Sequence, residues 1–289
     1  MFDPVAPLMA LTAAFVFALN FYVQSKGLKS TDPVTGAFVS VATMAAVFWG
    51  ASPLFLQSDW LRHPATLYFV LAGLVFPAMG QFLQIRAVSM VGPTLTSAAG
   101  SLMPVFAAVP AVLLLSEPFG WRLAGGFGLM MAGLAAMALL RGRLARSWPL
   151  WALLLPVGAS AARGFAQPLI KTGFRDLPNP FFATLVMASV SSLVLLVIAL
   201  RSGGGHRLRH PGGGAGWFML TGVLNGFGIL MVNMAVERSD ITRVAPFVST
   251  VPLWTLLLGF AVFRAETLDR RHLLVALMVV AGSVLVLTR

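Results

Sequence analysis

The chain has 289 residues, 58% of them hydrophobic and only 10% charged, with a mean hydropathy of +0.88. A soluble domain carries roughly 25% charged residues, so this chain cannot cover a surface that faces water, and the bilayer is its solvent. Its formal charge of +11 is scattered over short loops, which excludes a nucleic-acid face, and its lack of cysteine excludes disulfides, thiolate chemistry and thiolate metal sites.

A membrane span needs about 20 apolar residues, and the sequence predicts ten such segments. The first, 5–25, has no basic stretch before it and reads as a retained span, not a cleaved signal. It carries Asn20 and Tyr22. The second is 33–56, and the third, 66–86, carries Gln81 and Gln84, which are three residues apart and share one helix face. The fourth, 92–115, opens on the small-residue stretch TLTSAAGS (94–101) with Ser97 and Ser101, has Pro104 at its middle, and is followed by Glu117 with Arg122 nearby. The fifth is 120–140, and LRGRLARSWP (140–149) leads to the sixth, 149–170, with Arg163 and Gln167. The seventh is 180–200, and the Gly-rich stretch RSGGGHRLRHPGGG (201–214) after it reads as a flexible linker. The eighth, 215–236, holds Asn225, Asn233 and a Gly222–Gly226 GxxxG pair. The ninth, 241–263, holds Ser249, Thr250, Pro252 and Trp254, and Glu266 follows it with Arg264 nearby. The tenth is 271–288. Trp60, Trp121, Trp148, Trp151 and Trp217 fall near span ends, where amphipathic rings favour the headgroup layer.

The chain is duplicated. Pro104, Glu117 and Ala132–Gly133 recur as Pro252, Glu266 and Ala281–Gly282. The proline-to-glutamate step is 13 residues in the first copy and 14 in the second, and the glutamate-to-glycine step is 16 in both. Lys26 and Pro33 are echoed at equal spacing by Lys171 and Pro178. Five spans per copy is an odd number, so the second copy enters the membrane from the opposite side. The expected fold is all-α and integral to the membrane: ten transmembrane helices in two inverted five-helix repeats, 1–145 and 146–289, around a central cavity. Two inverted halves that meet at the midplane can open to either side in turn. The matched Pro104 and Pro252 each delete a backbone hydrogen bond and serve as hinges or as static bends.

The stretches 102–137 and 250–287 resemble the second part of an EamA-type repeat of the drug/metabolite transporter superfamily, in which a proline-containing span leads through a Gly-Glu-like turn into a glycine-rich span. Ser116 and Ala265 stand where a glycine often precedes that glutamate. The resemblance covers almost the whole chain and rests on order, spacing and duplication. It implies export of small metabolites or amino acids across the inner membrane, and in overall character the chain is most similar to bacterial exporters of aromatic and other neutral amino acids. It also implies a cavity lined by spans one, three, four, six, eight and nine, and both termini in the cytoplasm. The loop charges favour the opposite orientation, with twelve Lys/Arg on odd-numbered loops against seven on even loops and the C-terminus.

Arg163 is the sharpest single signal. A charge at the bilayer centre costs about 3 kcal/mol by insertion scales, and no Asp or Glu lies at comparable depth in any predicted span. Its guanidinium is suited to an anionic group such as a substrate carboxylate; the bland alternative is a bond to backbone carbonyls beside Pro156 or Pro168, or a reach to the interface. Missing intramembrane carboxylates predict a facilitator or exchanger that needs no proton gradient. Asn20, Tyr22, Gln81, Gln84, Gln167, Asn225, Asn233, Ser97, Ser101 and Ser249 are further candidate solute contacts, each equally able to bond helix to helix. Trp254 offers a stacking platform or fills the core. Glu117 and Glu266 are gate candidates or simple turn ion pairs. The four His, at 63, 206, 210 and 272, form no HExxH and meet no paired carboxylates, so neither an enzyme, a metal nor a cofactor is expected. The expected partners are a small-molecule substrate and the lipid bilayer, with the monomer as the functional unit.

Overall fold

A computed structural model describes residues 5–103, 105–106, 120–121, 124–126, 128–130, 132–133, 136, 148–201, 212–239, 244, 247–263, 274, 277–278, 280–282 and 284–285. Every regular element among them is helical. Helix α1 is Val5–Gly27, α2 Pro33–Phe55, α3 Thr66–Val75, α4 Ala78–Val91 and α5 Pro93–Gly100. In the second half α6 is Leu154–Asp176, α7 Pro180–Arg201, α8 Ala215–Arg238 and α9 Val251–Ala261. Single-turn 3₁₀ segments occupy Ser58–Arg62 and Leu150–Leu153.

Helix starts are set by local chemistry. The Asp32 carboxylate accepts from the backbone N–H of Val34 at 3.1 Å and of Thr35 at 3.2 Å, and Pro33 takes the first helical position, where its missing N–H removes nothing. Asn179 does the same for α7, its Oδ1 accepting from Phe182 at 2.8 Å. Gly92 ends α4 and begins α5 in one residue, at a φ of 81° that only glycine adopts without strain. At the far end of α8 the Lys171 ammonium donates to the carbonyls of Val236, at 2.9 Å, and Ser239, at 3.3 Å, placing a cation on the negative end of the helix.

Among the described residues, five helices are long and apolar enough to cross a membrane: α1, α2, the α3–α4 pair taken together (Thr66–Val91), α7 and α8. Their outer faces expose residues such as Leu8, Leu54 and Leu193, as expected of helices that touch lipid. At 23 residues α6 is equally long, but it carries Arg163, Lys171, Arg175 and Asp176. Most of predicted spans five and ten lies outside the described residues, so ten remains the sequence's own count.

The third predicted span differs from the expected single helix over 66–86. It breaks at Phe76–Pro77 and runs on to Val91. Pro77 has no N–H to give. Ser191 of α7 closes the gap: its hydroxyl donates to the Gly73 carbonyl at 2.6 Å and accepts from the Ala78 N–H at 3.0 Å. Backbone groups at membrane depth need such partners, because lipid offers none. The break re-aims α4, so that Gln81 and Gln84 turn inward and are buried.

The two halves are packed into each other. Helix α1 lies against α8 and α9, α2 against α7 and α8, α3 against α6 and α7, α4 against α6, and α5 against α9. The main core gathers side chains of α1, α2, α3, α6, α7 and α8, including Phe17, Phe48, Phe69, Phe174 and Phe182.

Candidate functional site

The matched proline positions mark two interrupted helices. In the first half α5 stops at Gly100, Ser101 and Leu102 form a turn, and helix resumes at Met103. In the second half helical residues 247–248 give way to a turn at Ser249 and Thr250, and α9 starts at Val251. At both turns the hydrogen bonds tighten to three-residue steps, Ser101 N–H to Ala98 O and Thr250 N–H to Phe247 O, each at 3.2 Å. The two turns touch: the Ser101 hydroxyl donates to the Ser249 carbonyl at 3.4 Å. Pro252 therefore lies in the first turn of α9, where a proline deletes no intrahelical bond. It follows a break; it does not bend a continuous helix as its mid-span position in the sequence suggested. Pro104, Glu117 and Glu266, with Arg122 and Arg264, lie outside the described residues.

A cavity of about 440 Å³, mouth included, opens where these turns meet α1, α4 and α6. Its polar lining is Gln84, Ser97, Ser101, Ser249 and Arg163, and its apolar walls include Phe17, Phe21, Met103 and Val251. Arg163 is half-buried on α6. Its Nη2 donates to Gln84 Oε1 at 2.8 Å, its guanidinium carbon lies 5.0 Å from the Phe76 ring centre and 5.6 Å from that of Phe17, and its Nε is buried with no partner. The cation is thus held by an amide and two ring faces, with no carboxylate among the described residues of the cavity lining. Such a group supplies one strong donor set to an anion and repels a second cation. Among the described residues no three His, Cys, Asp or Glu side chains come together to hold a metal.

The remaining candidates divide. Gln84 donates to Gln24 Oε1 at 3.4 Å, which joins Gln24 to the Arg163 group, and Gln81 separately accepts from the Nδ2 of Asn225 at 3.2 Å. Asn20 is 1% exposed with neither side-chain atom bonded. Asn233 donates to Thr184 Oγ1 at 2.9 Å and ties α8 to α7, away from the cavity. Tyr22 donates to the Thr255 carbonyl at 2.9 Å and stacks on Phe263 at 4.5 Å between ring centres. Trp254 packs edge-on against Phe15 at 5.5 Å, in a cluster with Leu19 and Phe263, and does not line the cavity. Gln167 is buried on α6, one turn beyond Arg163. Thr250 donates to its own turn, to the Phe247 carbonyl at 2.6 Å. Sequence reasoning missed Gln24 and Thr221, although each stands four residues from a residue it singled out, Asn20 and Asn225, on the same helix face.

Comparison with known proteins agrees with this architecture. The EamA-like transporter family matches residues 5–139 and again 150–288. No curated protein matches the chain. Among solved structures, one crystal structure of a protein superposes with a TM-score of 0.70, covering 98% of this chain and 96% of its own, at 14% identity. Identity that low speaks for the fold alone. The matched family covers both halves, and with the apolar helices and the cavity between two interrupted spans it settles the class: the chain belongs to the EamA-like transporter family of the drug/metabolite transporter superfamily, multi-pass membrane transporters of small solutes.

Proposed function

We propose that the chain exports small solutes bearing an acid group, amino acids with aromatic or other neutral side chains among them, across the inner membrane by alternating access. One observation carries this reading: Arg163 faces the cavity between the two interrupted helices with its Nε unpaired and no carboxylate among the described residues of the lining. A carboxylate is the complement such a group lacks. The proposed mechanism follows from the same geometry. The solute's acid group docks on Arg163, the turns at Ser101 and Ser249 part on one side and close on the other, and the solute is released across the membrane. Transport runs down the solute's own gradient or by exchange, because no intramembrane carboxylate is available to carry a proton, and the monomer is the working unit. Drugs, purines and sugar derivatives are the other cargo classes. Counterflow of labelled solutes in proteoliposomes, screened over the twenty amino acids with nucleosides as controls, tests the proposal. Saturable counterflow of at least one amino acid that is lost in Arg163→Ala supports it; counterflow of nucleosides only, or full activity of Arg163→Ala at normal expression, refutes it.

A further inference from the structure

Two hydroxyls of the cavity between the interrupted helices offer it acceptors and no donor. Ser97 and Ser101 both line the cavity, and each gives its one hydroxyl hydrogen to a backbone carbonyl. Ser97 donates to the Thr94 carbonyl at 2.8 Å, within its own helix turn, and Ser101 donates across to the Ser249 carbonyl at 3.4 Å. A carbonyl only accepts, so the direction of each bond is fixed. Lone pairs are what each serine oxygen has left for the cavity, and no other described residue donates to them. Gln84 is engaged at both ends, its Oε1 by Arg163 and its Nε2 by Gln24. The cavity therefore sets a donor at Arg163, whose Nε is unpaired, against acceptors at Ser97 and Ser101.

The two acceptors are spaced for one nitrogen. Ser97 stands in the last turn of α5 and Ser101 caps it, four residues on, with helical dihedrals of −72° and −5°. Residues at that spacing share a face and hold their Cβ atoms about 5–6 Å apart. An atom about 2.8 Å from both oxygens bridges such a gap, if it carries two hydrogens. A hydroxyl carries one. A carboxamide carries two but brings a carbonyl that then needs a donor of its own. A primary ammonium carries three and brings no acceptor. When the same solute lays a carboxylate on Arg163 it enters with no net charge, so the ammonium adds none to the cavity. Both groups line one cavity of about 440 Å³, mouth included, which calls for acid and amine on one short solute.

We infer that Ser97 and Ser101 form an amine subsite, and that the solute held by Arg163 is an acid with a primary ammonium on the carbon beside its carboxylate. The inference rests on the acid-binding reading of Arg163 and narrows it, since that reading admits any small acid. The ammonium donates one hydrogen to each serine oxygen, the carboxylate lies on the guanidinium, and the apolar remainder meets Phe17, Phe21, Val248 and Val251. An acid without the amine keeps the Arg163 bonds but sets hydrocarbon against both serine oxygens. A hydroxy acid satisfies one of them. Hydrogen bonds from a charged group are each worth about tenfold or more in affinity, so the order is amino acid, hydroxy acid, plain acid.

Isothermal titration of the purified full chain in detergent tests this, with leucine, 2-hydroxy-4-methylpentanoate and 4-methylpentanoate as probes. The three share one carbon skeleton and carry an ammonium, a hydroxyl or a hydrogen beside the carboxylate. Leucine is expected to bind about tenfold or more tighter than 4-methylpentanoate, with the hydroxy acid between them. That ratio should fall towards one in Ser97→Ala and in Ser101→Ala. Ser97→Ala deletes a bond internal to one helix turn and guards against misfolding of Ser101→Ala, which also cuts the link between the two turns. Leucine bound no tighter than either analogue by the native chain overturns the amine subsite. A preference that survives both serine variants overturns it too, because the amine then lies elsewhere. In either case, weaker binding of 4-methylpentanoate by Arg163→Gln shows that the acid site stands without it. Binding of none of the three overturns the reading of Arg163 itself, and the amine subsite with it.

Discussion

Replacing Arg163 by Met should separate function from stability. Burying the guanidinium at mid-membrane costs about 3 kcal/mol on insertion scales. Against this stand its bond to Gln84 at 2.8 Å, worth about 2 kcal/mol for a charged donor, and its two ring contacts at 5.0 and 5.6 Å, worth about 0.5 kcal/mol each. The sum is close to zero, so Arg163→Met should shift unfolding by no more than about 1 kcal/mol. Solute binding should respond very differently. Losing two charged hydrogen bonds to a carboxylate costs about 3 kcal/mol, or roughly 100-fold in affinity. Arg163→Lys keeps the charge and one donor but loses the planar fork, and should weaken binding about tenfold. Thermal denaturation of the detergent-solubilised protein, paired with counterflow in proteoliposomes, reads both quantities. A large fall in melting temperature with transport proportional to the surviving folded protein would show that Arg163 is structural and would refute the reasoning.

Ser191→Ala should lower stability by about 1–3 kcal/mol, because the Gly73 carbonyl and Ala78 N–H lose their shared hydroxyl at the α3–α4 break; an unchanged melting temperature would mean that another group closes the gap. Gly228→Ala should cost about 1–3 kcal/mol by overpacking, since the new methyl meets the Phe17 ring, and adding Phe17→Leu should restore part of it. The approach of Gly228 to the Phe17 ring puts Asn20 and Asn225, three residues along each helix, at one level, so cysteines placed there should form a disulfide on oxidation in a chain that has no cysteine of its own, and a pair at Asn20 and Thr221 should form one far more slowly. Counterflow should persist with the pH held equal on both sides of the vesicle; an absolute requirement for an imposed proton gradient would place a titratable group in the pathway.

The sequence by itself determined the solvent and the duplication, and its ten predicted spans made an inverted repeat the expectation. Low charge requires lipid, and matched spacings require a repeat. It also singled out Arg163, because an intramembrane charge is costly wherever its helix points. Tertiary structure decided which polar residues meet. Helical period shows that Asn20 shares a face with Gln24, and Asn225 with Thr221, but not that the two faces oppose each other. In lipid a packed face and a lipid-facing face are equally apolar, so hydrophobicity does not mark the inward side. Contacts of Phe17 with Gly228 and of Phe218 with Gly27 set how α1 lies on α8, and burial brought in Gln24 and Thr221, which had gone unnoticed. The same limit explains Trp254, which period and depth made a candidate but packing placed against Phe15. Pro252 stood mid-span in the sequence, and only the meeting of Ser101 with Ser249 revealed that the span is broken just before it.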